Sequence, residues 1–309
     1  MESATASKKP TRPVESLLET QVAKGAYSPR ARMWQRFRRH KLMYAGVVII
    51  LVFSMMAVFA PWVSGGRDPA KTNLRLRNLP PSRQHLLGTD NVGIDTWARL
   101  VYGGRISLSI GLVVVTISTG LGSLLGAISG YFGGRVDTII QRFQELVSLF
   151  PALILIIAVV TITGQSIYNI MIVLGLVGWT GVCRLVRGQF LSVREYAYVE
   201  AARSMGASSW KIMWRHIFPN VLPPVIVWAT FGVGGAIMTE ASLSFIGLGV
   251  KPPASSWGQM MKEAQTYTSL TTRPWVWLAP GLCITLTMLA INFVGDALRD
   301  AMDPRAIVD

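Results

Sequence analysis

The chain has 309 residues, of which 51% are hydrophobic and only 15% charged, and its mean hydropathy is +0.41. Soluble domains carry about 25% charged residues, so this composition excludes an ordinary soluble enzyme and points to a bilayer protein. Two isolated cysteines in apolar runs, Cys183 and Cys283, exclude a disulfide framework, and the scattered His40, His85 and His216 exclude a structural zinc site.

Residues 1–41 hold ten Lys/Arg against Glu2, Glu15 and Glu19. The first thirty are polar, with Pro10, Pro13, Gly25 and Pro29, and read as a loose tail. From Arg30 to Lys41 the stretch RARMWQRFRRHK reads as a basic amphipathic helix with Trp34 and Phe37 on one side, suited to anionic membrane lipids. A simple topology-setting charge cluster is the plainer reading of the same residues. The formal charge of +14 gathers in this tail and between Arg184 and His216, beside apolar spans and without a stacking platform. No nucleic-acid partner is expected.

Six uncharged or nearly uncharged stretches read as membrane spans. They run Leu42 to Val63, Ile106 to Phe132, Leu146 to Thr163, Ile167 to Cys183, Phe218 to Ile246 and Pro274 to Gly295. The first is too long for a signal-peptide core and reads as an uncleaved anchor. Gly122, Gly126 and Gly130 stand at four-residue spacing in the second, which lets two helix backbones approach; packing within the chain is favoured over a subunit interface. Pro151 predicts a kink at the start of the third. Glu240 is the one acid well inside a span, either bonded to Ser242, Ser244 or backbone, or standing on the wall of a polar vestibule.

Alternating sides from an inside N-terminus places residues 1–41, 133–145, 184–217 and 296–309 inside, with 20 Lys/Arg against 10 in the outside segments 64–105, 164–166 and 247–273. The bias favours both termini on the cytoplasmic side. The expected organisation is a basic tail (1–41), a first span (42–63), an outer loop (64–105), a core of five spans (106–295) carrying the cytoplasmic loop 184–217, and a short tail (296–309). No phosphate loop, nucleophile elbow or His-Glu-x-x-His motif occurs. The chain is therefore expected to be no enzyme and to hold no cofactor; passage of a solute across the bilayer is the remaining role.

The loop VREYAYVEAARSMGASSWKIMWRHIFPNVLPP predicts two short helices. The first runs Arg194 to Met205 and ends at a left-handed Gly206. Ser208 or Ser209 caps the second, which runs to His216, and Pro219 restricts entry into the fifth span. A rigid element anchored to the membrane at both ends suits transmission of a push from a soluble partner.

Glu200, Ala201, Ala202, Arg203, Gly206, Ile217 and Pro219 resemble the EAA motif of binding-protein-dependent ABC importer permeases. HLLGTD from His85 to Asp90, GYFGG from Gly130 to Gly134, EASLSFIGLG from Glu240 to Gly249, and GDALRDAMDP from Gly295 to Pro304 are similar to the C-type subunit of the dipeptide/oligopeptide/nickel permeases. Ile94 departs from that pattern, where an Arg is usual. The resemblance implies an all-α, six-span type I permease whose loop docks on an ATPase. It also implies a homologous second permease as heterodimer partner, two ATPases that carry ATP and Mg, an extracytoplasmic peptide-binding protein and a location in a bacterial or archaeal inner membrane. Nickel or a metallophore is the alternative solute, since the same scaffold carries both. A secondary transporter would need paired broken spans in matching halves, which the sequence lacks.

Overall fold

The computed structural model describes Phe37, residues 40–265 and residues 267–302. The predicted helix from Arg30 lies almost wholly outside the described residues, as does the chain after Met302. Among the described residues the fold is all helix, with one isolated bridge between Thr89 and Asp95.

Helix α1 (Lys41–Val58) is apolar all round and presents Val48, Leu51, Val52 and Met55 outwards, the pattern of a lipid-facing span. A single turn, α2 (Ala60–Val63), follows. Helix α3 (Thr96–Phe132) begins ten residues before the expected Ile106 and has 37 residues, about 55 Å at 1.5 Å per residue, well beyond a hydrocarbon core. Its start is a true cap, the Asp95 carboxylate accepting from the Ala98 N–H at 2.9 Å. The charges that closed the predicted span are satisfied inside the fold. Arg99 is buried in an ion-pair cluster, and Arg105 donates to the carbonyls of Ala57 and Val58 at 2.9 and 3.0 Å, capping α1.

The third predicted span is not one straight helix. Amphipathic α4 (Gly134–Ser148) and α5 (Ala152–Thr163) meet at 83°. Pro151, expected as a kink, is the residue at which the helix restarts. With only 12 residues α5 cannot span alone, so the described residues contain five long apolar helices, or six crossings if the bent pair counts as one.

Helix α6 (Ile167–Val193) runs ten residues past Cys183, where Arg184 ended the predicted span: Arg184 is exposed, and Arg187 one turn on is paired, its guanidinium donating to Asp137 of α4 at 2.6 and 2.7 Å. Short α7 (Ala197–Ser204) and α8 (Ser209–Lys211), then a π-turn (Ile212–Ile217), lead into α9 (Phe218–Phe245). Pro223 and Pro224 sit within α9 without ending it, as membrane helices tolerate. Two short helices, α10 (Trp257–Glu263) and α11 (Tyr267–Thr272), precede the last span, α12 (Trp275–Met302).

The small-residue stripe is spent inside the chain. A Cβ added at Gly122, Gly126 or Gly130 would come within 2.6 Å of Val182, Cys183 or Phe190 on α6, so the two backbones touch where only glycine fits. Gly126→Leu should lower the Tm of the purified protein, since such overpacking costs about 1–3 kcal/mol. Gly120→Leu, whose site has nothing within 4 Å of an added Cβ, should leave Tm nearly unchanged. Equal shifts in a thermal-unfolding assay would show that the stripe does not hold α3 to α6.

Candidate functional site

At one end of the bundle, α7 is tied off by two backbone bonds. The Gly206 N–H donates to Arg203 at 3.0 Å and the Ala207 N–H to Ala202 at 3.1 Å, with Gly206 at φ +78. That pairing is the glycine-terminated helix end expected from the sequence. Ser208 caps the next turn, accepting from the Lys211 N–H at 3.4 Å. The predicted second helix does not stop at His216. It continues through the π-turn into α9, because Pro219 lies in the first turn of that helix, where a missing N–H costs nothing.

Burial divides the motif residues into two groups. Ala202 and Ile217 are buried and join Val193, Val199, Ile212, Met213 and Val221 in one cluster with Ala127, Val186 and Phe190 of α3 and α6. Glu200, Ala201, Arg203 and Gly206 are exposed, Met205 beside them is 81% exposed, and Pro219 is exposed on α9. Neither Glu200 nor Arg203 forms an ion pair among the described residues. The Asn220 amide donates to Tyr198 Oη at 3.1 Å and to the His216 carbonyl at 2.8 Å, stapling α7 to the π-turn. Burial first, and the Tyr196 phenol second, push the Tyr198 hydroxyl above its ordinary pKa. Asp137 completes the support. Beyond its pair with Arg187 it accepts from Ser129 Oγ at 2.5 Å, while Arg194 donates to the Gly130 carbonyl at 3.0 Å. The result is a fixed surface of exposed polar and small residues, clamped to two spanning helices from below.

Above it, α3, α5, α6 and α9 enclose an open cavity of about 500 Å³. Ser118, Thr119, Thr180 and Thr239 supply hydroxyls to its wall, Trp228 and aliphatic residues supply the rest, and no charged side chain lines it. Glu240 does not reach this wall. It is fully buried next to Thr239, and its Oε1 accepts from Ser244 Oγ at 2.6 Å and Ser256 Oγ at 2.7 Å. It therefore holds the segment before α10 onto α9, the bonded alternative of the two that the sequence left open. Ser256, 16 residues away, was not expected as a partner.

A second cluster escaped sequence reading. Arg99 donates to Asp90 at 2.7 Å, to Glu263 Oε1 at 2.9 Å and to Ser255 Oγ at 3.1 Å. It thereby locks the segment before α3 to α10. The available signal was an acid and an arginine nine residues apart across a turn, which looked like ordinary loop charges. Ile94 explains itself here: it is buried, and its N–H donates to Asp90 Oδ1 at 2.8 Å while its carbonyl accepts from the Asp90 N–H at 3.0 Å. Backbone bonds hold this turn, and no charge is needed at that position.

Comparison with known proteins agrees with this architecture. Residues 122–308 match the model of the binding-protein-dependent transport system inner membrane component, and residues 28–81 match the N-terminal transmembrane domain of oligopeptide transport permease C. The chain is 39% identical over 280 residues to the dipeptide transport system permease protein DppC of Alkalihalophilus pseudofirmus, covering 91% of each chain. It is 42% identical over 265 residues to the Probable D,D-dipeptide transport system permease protein DdpC of Escherichia coli K12, covering 86% of this chain and 88% of that one. Among solved structures, an inward-facing conformation of the MetNI methionine ABC transporter superposes with a TM-score of 0.55 at 19% identity, over 66% of this chain and 96% of that chain, which bears on the fold alone. With a glycine-terminated helix end packed on α3 and α6, a neutral cavity among four helices, and these matches over most of its length, the chain belongs to the family of binding-protein-dependent transport system inner membrane components, as a multi-pass ABC importer permease.

Proposed function

We propose that this permease moves di- and oligopeptides from an extracytoplasmic binding protein into the cytoplasm. ATP and Mg act only in two partner ATPases, this chain binds no cofactor of its own, and a homologous second permease completes the path. The observation that carries this reading is the exposed Glu200–Gly206 end of α7, held on the buried anchors Ala202 and Ile217. A soluble partner closing against such an end displaces α6 and α9 with it, since the linkage is packed rather than hinged. The relatives named for dipeptides favour peptide over nickel as solute. The uncharged, hydroxyl-bearing cavity suits a weakly selective path, because tight binding there would slow release.

Reconstituted with its binding protein and ATPases, the complex should import labelled di- and oligopeptides upon ATP addition. Uptake of nickel–chelator complexes with no peptide uptake would overturn the solute while leaving the permease role intact.

The orientation in this reading puts both termini and residues 194–217 on the cytoplasmic side. Single cysteines at exposed Ser82 and Lys251 should react with an impermeant thiol reagent from outside, and one at exposed Ser208 should not. Ser255 is a poor reporter because it is 4% exposed. Labelling of Ser208 from outside would reverse the topology.

A further inference from the structure

Residues 64–105 and 247–273 contain four carboxylates, Asp68, Asp90, Asp95 and Glu263. The fold turns three of them inward. Asp90 and Glu263 engage Arg99, while Asp95 caps α3 and lies 2.7 Å from His85 Nδ1 and 3.5 Å from Arg67. Asp68 accepts from the Ala70 N–H at 2.8 Å. Five of the ten cations in these segments stay outside. Lys71, Arg75, Arg77, Arg83 and Lys251 are exposed and form no ion pair among the described residues. The two segments carry ten Lys/Arg against these four acids, and turning three of the acids inward leaves the exposed cations unopposed at the surface.

This surface is pre-shaped. The Asn78 N–H donates to the Asp90 carbonyl at 2.9 Å, the Leu79 N–H to Thr89 Oγ1 at 2.9 Å and the Asn73 N–H to the Val92 carbonyl at 3.2 Å, while Arg273 reaches across to Asn78 Oδ1. Leu74 and Leu86 stand exposed among the cations. Apolar anchors within a charged surround are the anatomy of a protein interface. A lipid surface fits less well. Residues 64–95 contain no Phe, Trp or Tyr, the residues that seat segments at a bilayer interface.

We infer that Lys71, Arg75, Arg77 and Arg83, with Leu74 and Leu86, form a docking surface for an acidic face of the extracytoplasmic binding protein. The inference rests on the importer reading above. Attraction between unlike surfaces mainly raises the encounter rate and is screened by salt.

The test uses the whole permease–ATPase complex in lipid nanodiscs and its co-encoded binding protein, with affinity measured by biolayer interferometry across a salt series. The quadruple variant K71E/R75E/R77E/R83E should weaken binding at low salt by about tenfold or more and flatten the salt dependence. The variant R75K/R77K/R83K, which keeps the charge, should bind and respond to salt as wild type does. Wild-type affinity and salt slope in the quadruple variant would overturn the docking surface while leaving the importer reading standing. A loss seen in anionic but not in zwitterionic nanodiscs would overturn it in favour of lipid headgroups. If the binding protein fails to bind even the wild-type complex, the importer reading falls and the docking surface with it.

Discussion

Gly206→Val should lower ATP-driven uptake by at least about tenfold, the equivalent of 1.4 kcal/mol in the coupled step, while the chain still inserts and assembles. The glycine holds φ +78, and an added Cβ would meet nothing within 4 Å. Crowding therefore plays no part, and the penalty is purely the backbone's. A left-handed residue costs roughly 1–2 kcal/mol for an ordinary L side chain, and a β-branched one resists it further. Relief comes by unwinding the end of α7, which removes the fixed position of Arg203 and Met205. The same reasoning supplies a control: Gly206→Asn should keep most of the activity, because asparagine accepts the left-handed region. Glu200→Lys should impair uptake by another route. Its side chain is exposed and forms no ion pair among the described residues, so folding is spared while the charge offered to a partner is reversed. Uptake by reconstituted vesicles, measured beside ATP hydrolysis, separates the two. Wild-type uptake from both Gly206→Val and Glu200→Lys would remove α7 from the coupling role.

The largest effect on stability is expected at Arg99. Arg99→Met leaves Asp90 and Glu263 without their counter-charge, and breaking a buried pair costs about 3–5 kcal/mol. The Glu263 side chain is 24% exposed, so water recovers part of its solvation and the lower end of that range applies. The triple variant Arg99→Met, Asp90→Asn, Glu263→Gln should recover most of the loss, since no uncompensated charge then remains. For contrast, the Arg142–Glu145 pair is largely solvent-exposed at 2.8 Å, and Arg142→Ala should change stability by at most about 0.5 kcal/mol. Thermal unfolding of the purified protein decides between these. Equal Tm for Arg99→Met and Arg142→Ala would show that the outer cluster does not hold residues 64–95 to α10.

What the sequence determined by itself is everything set by local chemistry. Charge-free runs of about 20 residues have no stable place but the bilayer, so the spans were legible. The glycine at 206 and the serine at 208 mark helix ends through backbone preferences that act within a few residues, so the outline of the loop between α6 and α9 was legible too. The tertiary structure decided where helices stop and which polar residues meet. Arg99, Arg105 and Arg187 look in one dimension like charges that no span can contain. In three they are neutralised by Asp90 and Glu263, by the carbonyl end of α1, and by Asp137, so α3 and α6 run on past them. The cavity wall draws on four helices between Val114 and Thr239, a neighbourhood that no spacing rule predicts. Glu240 was visible as an unusual acid, but its partner Ser256 comes from beyond the end of its helix. The reason is common to these cases: burying an ionic or polar group is tolerable only with a partner, and the partner is supplied by packing between distant segments.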